Sequence, residues 1–278
     1  MKLGHIEFHV LSDGQVGLDG GAMFGVIPKP LWEKKAQPDA RNRIRLEMNC
    51  LLILVDGKRI LVETGVGEKQ DSKFRDIYAV EGPHLIERLR DRGFKPEDID
   101  MVVNTHLHFD HCGGNTRIEC GNVVPAFPNA RYIVQKAEYE HALQPNERDR
   151  ASYFAQNYAP LQDARQLDLI EADTAIAPGV DLVRVPGHTA NMMCVKLSGG
   201  GKSAFFFADL IPTTAHLPLP WIMGYDLYPM ITLENKKRWI PQVVQGEWLA
   251  LFGHDTLTQA AYLREKDGRM ETEPVKVE

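Results

Sequence analysis

The sequence predicts a single α/β domain of layered sheets over residues 1–278. Three observations predict it. Short β-rich runs are interleaved with helix-patterned stretches along the whole chain, as in sheets covered by helices. No Ser/Gly-rich linker divides the chain. Hydrophobic residues make up 44% and charged residues 25%, ordinary values for a globular chain long enough to bury a large core.

From the N-terminus, Ile6, Phe8 and Val10 alternate with Glu7 and His9, the period of a half-buried strand. CLLILVDGKRILVETG at 50–65 is two apolar runs joined by Asp56-Gly57, a hairpin signal. In EGPHLIERLRDRG (81–93), Leu85, Ile86 and Leu89 stand at helical spacing, and Gly93 and Pro96 stop a surface helix. IDMVVNTH reads as a buried strand, and FPNARYIVQKAEYEHAL (127–143) as a short strand followed by a helix. The polar stretch 145–166 reads as helical and exposed. DLVRV (181–185), MCVKL (193–197), SAFFFA (203–208) and EWLALF (247–252) are further strands. GGGKS at 199–203 is a hairpin turn: Lys196 stands where a phosphate loop needs its first glycine. Residues 19–47 and 212–230, rich in Pro, Gly and aromatics, are expected to be long functional loops.

A net charge of −6 and the lack of a basic run with interleaved aromatics argue against nucleic acid as a partner. No apolar stretch approaches the roughly 20 residues that span a bilayer, and MKLGHIEFHVLSDGQ lacks the apolar core of a signal peptide. Cys50, Cys112, Cys120 and Cys194 have no CxxC spacing, which argues against a disulfide framework or a Cys-ligated zinc. A cytoplasmic protein with no membrane contact and a small-molecule substrate is expected, and a homodimer is compatible with the sequence.

NTHLHFDHCGG (104–114) places His106, His108, Asp110 and His111 within six positions, after a strand. His188 follows DLVRVPG, Asp209 follows SAFFFA and His254 follows EWLALFG. Strand ends and their loops are where active sites of α/β folds sit. Imidazoles and carboxylates together suit zinc, iron, manganese or cobalt. One ion with an open position takes about three protein ligands, so these residues point to two divalent metal ions, zinc first among the candidates. Two such ions lie about 3.5–4 Å apart and share a carboxylate and a hydroxide.

THLHFDH, with His188, Asp209 and His254, resembles the metallo-β-lactamase superfamily, from LVETG to FGHD. The resemblance implies an αββα four-layer sandwich in one hydrolase domain. It implies that His106, His108 and His188 hold the first metal, that Asp110, His111 and His254 hold the second, and that Asp209 bridges. A metal-bridging hydroxide would attack a small hydrophobic lactone or ester, with Asp110 relaying the proton. The bridging Asp209 separates the chain from true β-lactamases and groups it with lactonases, glyoxalase II enzymes and phosphotriesterases. Alternatives are an aryl phosphotriester hydrolase, a glyoxalase II-like thioesterase, or an oxidoreductase like the single-iron persulfide dioxygenases, holding iron through His106, His188 and Asp209. His108 in the middle of the motif argues against the flavodiiron branch, which carries Glu there.

The chain departs from the family pattern at three places. ETG replaces DTG, so Glu63 is expected behind the metals, orienting a ligand histidine. PGHTANM replaces PGHTPGH, leaving only His188. Pro212 stands where acyl-homoserine lactonases often carry a Tyr, with Tyr225 or Tyr228 as substitutes. Trp221, Met223, Tyr225 and Tyr228 read as a substrate wall or as satellite core. Met23 and Phe24 face them, and His216 either lines the pocket or is a polar loop position. Cys112 reads as a small buried thiol.

Overall fold

The computed structural model describes residues 1–277. A first seven-stranded sheet begins with β1 (Lys2–Leu3), β2 (Ile6–Asp19), β3 (Arg43–Val55) and β4 (Lys58–Val62), paired antiparallel in that order. It continues in parallel through β5 (Met101–Val103), β8 (Arg131–Gln135) and β9 (Leu167–Ile170), while β6 (Thr116–Glu119) and β7 (Asn122–Pro125) form a separate hairpin. The second seven-stranded sheet runs β10 (Thr174–Ala177), β11 (Val180–Arg184), β12 (Met193–Gly199), β13 (Lys202–Phe206), β14 (Leu249–Leu251), β15 (Ala260–Lys266) and β16 (Arg269–Pro274). Its neighbours are antiparallel except β13 and β14, which lie parallel.

Strand side chains alternate between faces, and β3 shows why the middle of this sequence is apolar at every position. Leu51 and Ile53 enter the core between the sheets with Val195, Phe206 and Leu251, whereas Cys50 and Leu52 face outward onto a second core. That second core is closed by α4 (Leu85–Asp91), α6 (Lys136–Leu143) and α7 (Ala159–Asp163) through Leu85, Leu89, Tyr139 and Leu161. On the far side, α8 (Pro229–Gln245) covers the second sheet, stacking Trp239 on Phe205 with centroids 4.7 Å apart. The result is the αββα sandwich. Each fully buried Leu, Ile or Phe of these cores contributes about 1.5–3 kcal/mol.

Two-residue turns fall where the sequence places them. Asp56 and Gly57 have φ of 48° and 74°, the left-handed pair a tight hairpin needs. Gly200 and Gly201 turn β12 into β13 with φ of 59° and 74°.

Residues 145–166 correct the sequence expectation of an exposed helical region. They are turns, with one short 3-10 turn at Ala155–Asn157 and one helical turn in α7. Asp149, Tyr153, Tyr158 and Leu161 are buried, because the segment is bonded to the histidine motif through Phe109 N donating to Ser152 O at 2.9 Å. Within 19–47, β2 runs to Asp19 and short helices α1 (Gly20–Phe24) and α2 (Lys29–Trp32) follow, so the loop has internal structure. No described helix is long and apolar enough to cross a membrane.

Candidate metal centre

All seven candidate ligands lie beyond the C-terminal ends of strands. His106 and His108 follow β5, and α5 (Phe109–Cys112) carries Asp110 and His111 on one helical turn. His188 follows β11 across Pro186-Gly187. Gly187 has φ of 146°, and a Cβ there would lie 2.4 Å from Thr232 Oγ1, so only glycine lets α8 approach this closely. Asp209 follows β13 and His254 follows β14, and the parallel pairing of these strands sets the two side by side.

The side chains converge. His106, His108 and His188 form one group whose ligand atoms lie within 4.8 Å of one another; His106, His111 and Asp209 form a second, and Asp110, His111 and His254 a third. His188 Nε2 is 3.0 Å from His108 Nδ1, and His254 Nε2 is 3.2 Å from His111 Nε2. Asp209 presents its two oxygens to different histidines: Oδ2 lies 3.3 Å from His188 Nε2, while Oδ1 lies 3.3 Å from His111 Nε2 and 3.1 Å from His254 Nε2. His106 Nε2, His108 Nε2 and Asp209 Oδ1 are buried with no hydrogen-bond partner. Buried polar atoms are costly unless satisfied, and nitrogens facing one another are satisfied by a cation between them. The residues present fit two divalent ions.

Four of the five histidines are held from behind, His108 being the exception. His188 Nδ1 is 3.0 Å from Asp226 Oδ1, His254 Nδ1 donates to Glu47 O at 2.9 Å, and His106 Nδ1 meets Thr105 Oγ1 at 3.0 Å. Such bonds fix which ring nitrogen carries the proton. Glu63, buried with φ of 64°, accepts from Thr105 N at 3.0 Å and places Oε1 3.6 Å from His111 Nδ1.

The carboxylates give the cluster a field that favours cations: against the effect of burial, Asp209 raises His111, His188 and His254 above the ordinary imidazole value. Burial above all pushes His106 and His108 well below the ordinary imidazole value, with His111 adding most at His106 and His188 most at His108, so both are neutral with a free lone pair. Burial opposes ionisation of Asp209, yet His111, His254 and His188 outweigh it and hold the carboxyl well below its usual range.

This cluster is the floor of a cavity of about 390 Å³, lined by His108, Asp110, His188, Asp209 and His254. Leu18, Met23, Met223 and Leu227 form an apolar wall. Of the residues read as a substrate wall, Met23, Met223 and Tyr225 line the cavity. Four others do not. Phe24 is fully buried, stacked on Trp32 at 5.2 Å and on His216 at 4.7 Å. His216 is buried with both ring nitrogens engaged, Nε2 with Met23 O at 2.9 Å and Nδ1 with Thr213 Oγ1 at 2.8 Å. Trp221 stands edge-on to Phe24 in the apolar cluster behind the wall, and Tyr228 is the N-cap of α8.

The sequence reading missed Tyr78, Arg148, Asp149 and Ser152, which line the cavity, and Asp226 behind His188. Tyr78 ends α3 (Ser72–Tyr78), its ring 4.9 Å from Phe109 of the histidine motif. Nothing in a single sequence marks these residues. Only Asp226, a buried acid inside the Pro-rich loop, carried a readable signal.

The family described as Metallo-beta-lactamase superfamily matches residues 45–254. An N-acyl homoserine lactonase of Bacillus cereus is 32% identical over 228 residues, covering 77% of this chain and 83% of that one. The crystal structure of a "probable metal-dependent hydrolase" from Staphylococcus aureus superposes with a TM-score of 0.92 at 32% identity, covering 100% of this chain and 99% of the other. The dizinc quorum-quenching lactonase AidC, in complex with its product, shares the fold with a TM-score of 0.82 at 22% identity, covering 100% of this chain and 97% of its own. A match spanning both halves of the ligand set, from β3 to His254, makes this chain a member of the metallo-beta-lactamase superfamily.

Proposed function

We propose that this chain is a zinc-dependent lactone hydrolase acting on N-acyl homoserine lactones. The observation that carries the reading is the Asp209 carboxylate, which turns one oxygen toward His188 and the other toward His111 and His254 at the floor of a cavity with one apolar wall. On this reading His106, His108 and His188 would hold one zinc ion and Asp110, His111 and His254 the other, with Asp209 available as a ligand to either. When bound, the ions supply Lewis acidity toward a carbonyl oxygen and lower the pKa of water.

The chain's own groups do the rest. Glu63, Asp226, Thr105 and the Glu47 carbonyl hold the imidazoles in the tautomers that aim their free nitrogens at the centre. Tyr78 and Tyr225 line the cavity; burial first, with a smaller contribution from Asp110, raises both phenols, so they stay protonated and serve as donors to the lactone carbonyl. Asp110 Oδ2, 3.9 Å from both His111 Nε2 and His254 Nε2, is placed to take the proton that the attacking water gives up and to return it to the alkoxide released when the ring C–O bond breaks. Met23, Met223 and Leu227 give the acyl chain an apolar surface. The same reading takes residues 1–278 as one domain working on a small molecule in the cytoplasm, which limited proteolysis and cell fractionation test.

The test is hydrolysis of an acyl-homoserine lactone, an aryl phosphotriester and a glutathione thioester by zinc-reconstituted protein, with a chelated control and a metal count. Chelator-sensitive lactone turnover well above the others, with two metals per chain, is expected. Turnover of the phosphotriester or thioester alone, or one iron per chain, would replace this reading.

A further inference from the structure

Three segments meet over the mouth of the cavity: residues 20–25, 145–152 and 222–227. The first and third are packed backbone to backbone. Gly224 N donates to Ala22 O at 2.8 Å, and a Cβ on Gly25 would lie 2.6 Å from Ile222 O. The second reaches the third through a single long side chain, with Arg148 Nη2 donating to Gly224 O at 2.9 Å. Arg148 and Gly224 both line the cavity although 76 residues separate them.

The two ends of this link differ in firmness from the link itself. Beside Arg148, Asp149 is buried with Oδ2 2.6 Å from His141 Nε2, and Ser152 O accepts from Phe109 N at 2.9 Å. The base of the arginine is therefore fixed to the histidine motif. The guanidinium itself is exposed and has no carboxylate within ion-pair distance among the described residues. Four of its five N–H donors are not committed to Gly224. A charge-assisted bond at the solvent edge is made and broken at little cost, so burial of one or two further methylenes on the apolar wall offsets its loss.

We propose that Arg148 is a specificity-determining residue, a strap from the 145–152 segment to Gly224 that bounds the space left for the acyl substituent of the lactone. A short chain fits beneath the closed strap. A long chain displaces it, and gives up part of its binding to do so. The inference rests on the lactone-hydrolase reading above.

The experiment measures kcat and KM for N-butanoyl- and N-decanoyl-homoserine lactone with the zinc-reconstituted full chain, its Arg148→Ala variant and its Arg148→Met variant. Methionine keeps much of the side chain's bulk and removes the donors. Both variants are expected to lower KM for the decanoyl substrate about fivefold. The butanoyl KM is expected to move less than the decanoyl KM, and the thermal midpoint to stay near wild type. A decanoyl-to-butanoyl ratio unmoved in both variants overturns the strap, and so does one moved in Arg148→Ala alone, because bulk and not the bond would then be responsible. Wild-type protein that turns over neither lactone overturns the lactone reading itself and this inference with it. The two failures are thus told apart by the wild type.

Discussion

Asp226 Oδ1 stands 3.0 Å behind His188 Nδ1, and both residues are buried. The carboxylate places the proton on Nδ1 and leaves Nε2 free to face Asp209 at 3.3 Å. Asp226→Asn removes the charge and offers an amide that accepts either tautomer. Zinc affinity is expected to fall about 10–100-fold, read by competition against a chelating dye. An unchanged affinity would remove Asp226 from the account of the site.

Asp209 is surrounded by three imidazole nitrogens at 3.1–3.3 Å, so its charge matters to both halves of the cluster. Asp209→Asn is expected to reduce bound metal from about two ions per chain toward one or none, and to abolish turnover. Chelation of the wild type should lower its thermal midpoint by an amount that grows with the logarithm of the free-metal excess it removes. Full metal content and full activity in the variant would contradict a bridging role.

Tyr225 and Trp221 were equivalent in the sequence, two aromatics of one Pro-rich loop, but they are not equivalent in the fold. Tyr225 lines the cavity, whereas Trp221 packs against Phe24 behind it. Tyr225→Phe is expected to lower kcat about tenfold or more through loss of one donor to the reacting carbonyl, with no change in stability. Trp221→Ala should instead cost about 2–4 kcal/mol of stability with little effect on chain-length preference, measured by denaturant unfolding beside kinetics.

These contrasts show which parts of the chain could be read. The ligands were legible because each is anchored by its own strand: an apolar run such as SAFFFA fixes where it ends, and the residue after it is placed within a few ångströms. The helix over 229–245 was not legible. Its buried stripe, Thr232, Asn235, Lys236, Trp239, Ile240 and Val243, contains three polar residues, and Pro241 lies inside it, so the helical apolar period is broken. The β15–β16 hairpin carries the same Asp-Gly signal as the first, at Asp267-Gly268, and went unread because its strands are charged. The cavity walls depend on contacts such as Arg148 with Gly224, which no local pattern encodes.

Lys236 explains how a polar residue came to be in that stripe. Its Nζ is buried and donates to the carbonyls of His216 and Pro218, both at 2.7 Å, and of Trp221 at 2.9 Å. Burial lowers the pKa of this amine to about 7, and in its protonated form it gathers the turn behind the cavity wall onto α8. Lys236→Met keeps the stem but leaves the carbonyls of His216 and Trp221 without that donor, while Pro218 O keeps Trp221 N at 3.0 Å, at an expected cost of about 3–5 kcal/mol. A drop in thermal midpoint of roughly 10 °C or more is expected; a change within a degree or two would show that the turn is held by its apolar contacts alone.

His216, on the same turn, gives the fold a defined acid response. Burial pushes it down to about 4, and Lys236 on its carbonyl adds to that, against weaker opposition from the Met23 carbonyl and Asp209. The neutral ring is fully used, donating from Nε2 to Met23 O and accepting at Nδ1 from Thr213 Oγ1. In the unfolded chain the same histidine titrates near a pKa of about 6.5. Between those two values the unfolded state therefore binds a proton that the native state refuses, so the contribution of His216 to stability falls as the pH drops from about 6.5 toward 4 and is constant above that window. The loss from this one group reaches about 3 kcal/mol at the acid end. His216→Phe keeps the stack on Phe24 at a cost in hydrogen bonds that is the same at every pH. Its unfolding free energy should accordingly fall by about 2–3 kcal/mol less than the wild type's between pH 7 and pH 4. Parallel pH profiles for the two proteins would mean that His216 accepts its proton inside the fold, and the stacked, doubly bonded imidazole would then have to open before the rest of the chain does.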